Sequence, residues 1–150
     1  MTIPQQPGLA NGVVAHSKPN VAAAAMPQDL VTLGQVTLTP FGEISTGPGV
    51  KSFDLSSFYF GCVTNLENSL VTTSTGCTIA VTGYKYNGQQ VPEATFAFAP
   101  AQTIGAPPAL ASLPSSYVGL KNVTIGIASA AVLAAETIVD IDDLVHCNYS

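Results

Sequence analysis

The chain has 150 residues, with nine acids against four lysines, no arginine and a formal charge of −5. Charged residues make up only 9%, against about 25% in an ordinary soluble domain. Lys18, Lys51, Lys85 and Lys121 are scattered, so the clustered cations that nucleic acid or an acidic membrane surface requires are missing.

The length fits one domain, 1–150, that buries roughly 70% of its unfolded surface and needs no metal to complete a core. No stretch reaches the roughly 20 apolar residues of a spanning helix, and "VAAAAM" at 21–26 is far shorter. The opening "MTIPQQPG" has neither the basic nor the apolar region of a leader, so an exported form is expected to have lost its leader. A surface rich in Thr, Ser, Gly and Pro, polar without being ionic, favours an extracellular setting.

Residues 1–30, rich in Pro, Gly, Ala and Asn, read as an irregular loop or edge segment. "QVTLTP" at 35–40 is the first strand expected. "VKSFDLSSFYFGCV" at 50–63 is the second, with a bulge or bend expected near Ser56–Ser57 to reconcile the register of Phe53, Leu55 and Tyr59. "GCTIAVTGYKY" at 76–86 alternates cleanly, with Cys77, Ile79 and Val81 on one face and Thr78, Ala80, Thr82, Tyr84 and Tyr86 on the other.

Asn87-Gly88 then predicts a hairpin with a type I′ turn. The return strand lies within 90–100, with Phe96 and Phe98 on one face and Val91-Pro92 at an edge or bulge. A loop holding Pro100, Pro107, Pro108 and Pro114 follows. Residues 117–129 read as a strand with Val123, Ile125 and Ile127 inward, 130–136 as one short helical turn, and 137–149 as a final strand. Short strands with turns every 8–12 residues predict an all-β fold, an antiparallel β-sandwich of jelly-roll type with long loops and at most a short helix.

Cys62 and Cys77 stand 15 positions apart around a polar loop. The spacing suits a disulfide over two buried thiols or a functional pair, since the C-x₂₋₄-C form of a zinc site is absent. Cys147 follows His146 directly, so the two face opposite ways on a strand. A buried free thiol is the expectation for Cys147, an intermolecular disulfide the alternative.

Asp140, Asp142 and Asp143 form the densest acidic group. They suit a structural calcium ion or, preferred here, capping of nearby backbone N–H groups, because one segment cannot supply six or seven oxygen ligands. Tyr84 and Tyr86, with Asn87, Gln89 and Gln90 beside them, can stack and hydrogen-bond a sugar. Plain cross-strand packing is the preferred reading of the two tyrosines, and the absence of Trp argues the same way. Asn122 and Asn148 head sequons that an export route could glycosylate.

For catalysis, Glu43, Glu67, Glu93 and Glu136 sit in no recognisable setting, His16 and His146 are the only histidines, and no G-x-S-x-G elbow occurs. A non-enzyme without an obligate cofactor is therefore expected.

Ser52–Cys62 ("SFDLSSFYFGC"), Cys77–Tyr84 ("CTIAVTGY"), "GLKNVTIGI" at 119–127, "IDDL" at 141–144 and "GLANGVVAHSKPNVA" at 8–22 together resemble a family of small secreted proteins of filamentous fungi. The likeness runs over nearly the whole chain, but its motifs are structural, and the family's usual opening strand has no counterpart here. The resemblance implies a jelly roll related to carbohydrate-binding modules, in which an ion near the last strand is common. It also implies an effector or elicitor role at a host or cell-wall surface, with a cell-wall glycan or a host surface protein as partner. A structural cell-wall protein without a discrete ligand and a small polysaccharide hydrolase are the alternatives.

Overall fold

The computed structural model describes residues 2–4, 12–14, 16, 20–25, 42–65, 72–132 and 137–150. Among them run ten strands: β1 (Thr2–Pro4), β2 (Asn20–Ala25), β3 (Gly42–Ser45), β4 (Ser52–Asn65), β5 (Thr72–Ser74), β6 (Cys77–Lys85), β7 (Ala94–Phe98), β8 (Ala109–Ser112), β9 (Leu120–Ala130) and β10 (Thr137–Tyr149). Every strand pairing is antiparallel, and the fold is all-β as expected. The expected strand at 35–40 and most of the helical turn at 130–136 lie outside the described residues.

The strands form two layers. One runs β1-β2-β10-β4, with β5 and β8 also on β4; the other is β3-β9-β6-β7. Their ladders join at a single pair, Phe53 with Leu120. Between the layers lies one core. It takes Phe53, Leu55, Phe58 and Phe60 from β4, Ile79 and Val81 from β6, Val123, Ile125 and Ile127 from β9, and Val139 and Ile141 from β10. Each set is the apolar half of an alternating strand.

Tyr117 closes one corner of the core. It is fully buried, and its hydroxyl donates to the carbonyls of Val81 (2.6 Å) and Pro92 (3.0 Å). Burial pushes its phenol above the ordinary tyrosine range.

The bulge expected near Ser56–Ser57 is present. Val145 pairs with Ser57 and His146 with Leu55, leaving Ser56 as the extra residue of β4. That residue switches the inward positions from Phe53 and Leu55 to Phe58, Phe60 and Cys62. A second irregularity, not expected, lies across from it in β10. Asp142 pairs with Tyr59 and Val145 with Ser57, so β10 carries one extra residue at Asp143–Leu144. Asp143 has φ 48°, and no other non-glycine residue described has a positive φ.

The Asn87-Gly88 hairpin forms, with a different turn from the one expected. Gly88 N–H donates to Lys85 O (2.9 Å), Lys85 N–H to Gln89 O (2.8 Å), and only Gly88 takes a positive φ. This is a three-residue connection with glycine at the bulge position, where type I′ would need positive φ at both Asn87 and Gly88. The Pro-rich stretch after β7 holds a strand the sequence did not announce, β8, and β3 was likewise missed.

Candidate functional site

Cys62 on β4 and Cys77 on β6 form the disulfide, with Cα atoms 6.2 Å apart and both side chains buried. It crosses between the layers, because β4 belongs to the first and β6 to the second. Such a bond is consistent with an extracellular protein. No helix among the described residues is long and apolar enough to cross a membrane.

At one end of the second layer lies the hairpin of β6 and β7. Tyr86 stands just beyond the end of β6, in the turn, with 70% of its surface exposed. Lys121 Nζ sits 5.9 Å from its ring centroid, within cation–π range. Asn87 and Gln89 are exposed beside it, and the Asn87 Oδ1 accepts the Gln89 N–H at 2.9 Å. Tyr84 is half-buried within the strand, opposite Asn122 of β9. The two tyrosines thus divide: Tyr84 packs on the sheet and Tyr86 projects from its end.

The three aspartates of β10 are not gathered around one point. Asp142 Oδ1 accepts the N–H of Asp143 (2.9 Å), a local backbone cap. Asp143 Oδ2 lies 2.5 Å from His16 Nδ1. Asp140, half-buried between Gly61 of β4 and Ala23 of β2, has its carboxyl pushed up to about 7 by desolvation. Among the described residues no group of three His, Cys, Asp or Glu is placed to hold a metal.

No local pattern announces the role of His16. Its ring stacks on Tyr59, with centroids 3.8 Å apart and planes 11° apart, while it engages Asp143. The same short segment places Val13 against Gly61, where an added Cβ would come within 2.8 Å of both Val13 methyls. Val13 bridges to Ala106 in parallel, and residues 12–14 and 16 thus lie as a strap over the outer face of the first layer. A separation of 127 residues between His16 and Asp143 explains why no local pattern announces the pair.

Of the two sequons, Asn122 is half-buried and its Nδ2 donates to Glu43 Oε1 at 3.0 Å, while Asn148 is exposed near the end of β10. Asp54 is also a tie the sequence did not show: it accepts the Gly119 N–H and the Tyr149 hydroxyl, both at 2.8 Å.

Cys147 is exposed, not buried as expected. The extra residue at Asp143–Leu144 is the reason. Before it Val139 and Ile141 face the core; after it Leu144 packs against the core, His146 and Asn148 stay exposed at the mouth of a cavity, and Val145 and Cys147 turn to solvent. His146 and Cys147 do face opposite ways. His146 and Asn148 thereby line a cavity of about 230 Å³ between the end of β10, β3 and the 46–50 loop, floored by Phe53 and Leu55.

No family model, curated protein or solved structure matches the chain.

Proposed function

We propose that the chain is an exported, non-catalytic jelly-roll domain that binds a carbohydrate at the hairpin end of its second layer. The observation that carries this reading is Tyr86. Its ring is held out in solvent over Lys121 while Asn87 and Gln89 offer hydrogen-bonding groups around it. An apolar plane edged by amides suits a pyranose, whose ring faces are apolar and whose rim is hydroxylated. The disulfide across the layers supports a setting outside the cell. The residue resemblance to small exported fungal proteins supports a cell-wall glycan as the ligand and an effector or elicitor role as the context.

The test is retention on insoluble chitin, cellulose and β-glucan. The wild-type chain is expected to bind at least one polymer, and Tyr86→Ala to weaken that binding roughly 3–10-fold, the scale of a lost aromatic contact. Unaltered retention of Tyr86→Ala, or release of reducing sugar by the wild type, would overturn the reading.

A further inference from the structure

We infer that the cavity between β3 and the end of β10 is a second ligand site, for a neutral, ring-sized apolar molecule bearing one hydroxyl. The argument starts from the bulge. In an uninterrupted ladder, Val145 and Cys147 would follow Ile141 inward and lie over Phe53 and Leu55. The extra residue instead leaves Val145 55% exposed and turns His146 and Asn148 toward that apolar floor. The strand thus gives up apolar burial and holds Asp143 at φ 48° to do so. Bulges that re-aim side chains, and backbone outliers of this kind, collect at binding sites. A strand that breaks its own alternation without a gain in packing marks such a site.

The lining defines the ligand. Ile44, Val50, Phe53, Leu55 and Leu144 supply the apolar wall, and His146 and Asn148 supply hydrogen-bonding groups from one strand. An apolar cavity of about 150 Å³ takes up benzene; about 230 Å³ leaves room for one substituent more. Apart from His146 the lining holds no ionisable side chain, so a charged head would meet no fixed counter-charge, whereas a hydroxyl can both donate to and accept from imidazole and amide.

Benzyl alcohol and toluene serve as probes, with and without the hydroxyl, titrated against the full chain and followed by backbone amide shifts. Benzyl alcohol is expected to saturate, with its largest shifts at Ser45–Gly47, Leu144, His146 and Asn148, and to bind at least 3-fold tighter than toluene. His146→Ala should weaken benzyl alcohol about 5-fold or more and leave toluene unchanged. Val50→Phe, which fills the cavity, should abolish both; Leu144→Phe is the second filling variant, and whichever retains the wild-type amide dispersion is scored. Tyr86→Ala should change neither, so this site and the carbohydrate site fail separately. Absence of saturation, shifts centred elsewhere, equal affinity for the two probes, equal loss of both in His146→Ala, or undiminished binding in a folded filling variant would overturn the assignment.

Discussion

Asp140 sits where the first layer leaves a carboxylate poorly hydrated, and its folded-state value of about 7 lies above the 3.8 it has when solvated. For an acid raised in this way the penalty falls on the ionised form. Below about pH 4 the group is protonated in both states and contributes nothing. Between about 4 and 7 the unfolded chain releases the proton while the folded chain keeps it, so stability declines as pH rises. Above about 7 the penalty is complete. The whole shift corresponds to roughly 4 kcal/mol, and residual solvent contact brings this down to about 1–3 kcal/mol. Asp140→Asn should therefore gain that amount over wild type at pH 8 and none at pH 4 in urea unfolding. Parallel stability curves for the two proteins across this range would reject the account. The sequence marked Asp140 as notable by its company, Asp142 and Asp143, yet nothing in the spacing distinguished a half-buried acid from a capping one or from the partner of His16. Those roles depend on Gly61, Ala23 and His16, which approach from distant parts of the chain.

Within the elements, the two bulges facing each other across β4 and β10 do most to position side chains. The one at Ser56 was expected from the sequence, and it puts Phe53 and Leu55 out of phase with Phe58 and Phe60. The one at Asp143–Leu144 left a fainter trace: Val139 and Ile141 alternate, then Leu144 arrives one position late. That slip places Cys147 outside and His146 on the side of the cavity. Asp143 itself tests the device. Alanine loses the His16 contact and resists φ 48°, whereas glycine loses the contact and adopts the angle freely. With His16 about half exposed, the pair is worth less than about 1 kcal/mol. Asp143→Ala should then cost about 1–2 kcal/mol and Asp143→Gly less; equal losses in chemical denaturation would assign the effect to the contact alone. The short strands β3 and β8 escaped the sequence reading for another reason. Four residues carry too little periodicity, and "ALAS" becomes a strand only because β4 offers it a ladder.

At the scale of the molecule, the layers share, among the described residues, one core, one ladder pair and one covalent tie. Closing a 15-residue loop is worth about 3 kcal/mol in the chain-entropy account. For a chain of this size that corresponds to a fall in melting temperature of roughly 6–12 °C when Cys62→Ser replaces the bond or a reductant opens it. A melting curve indifferent to both would show that the tie carries no stability. The all-β class and the staple were readable because alternation and cysteine spacing are properties of the chain itself. The strap of residues 12–14 and 16 and the rim strands β1 and β2 were not. Their sequences are Ala-, Gly- and Pro-rich and carry little periodicity of their own; β2 is ordered on the edge of β10, and Val13 against Gly61.

The other rim ends at β7, which among the described residues pairs on one side only, with β6. It is five residues long, is preceded by Pro92 and followed by Pro100, and turns Thr95 and Ala97 to solvent. Imino acids cannot donate to a neighbouring ladder, so a foreign strand that docked here could not extend past either end. The open margin is therefore self-limiting. Even at high concentration such a border resists seeding fibrils.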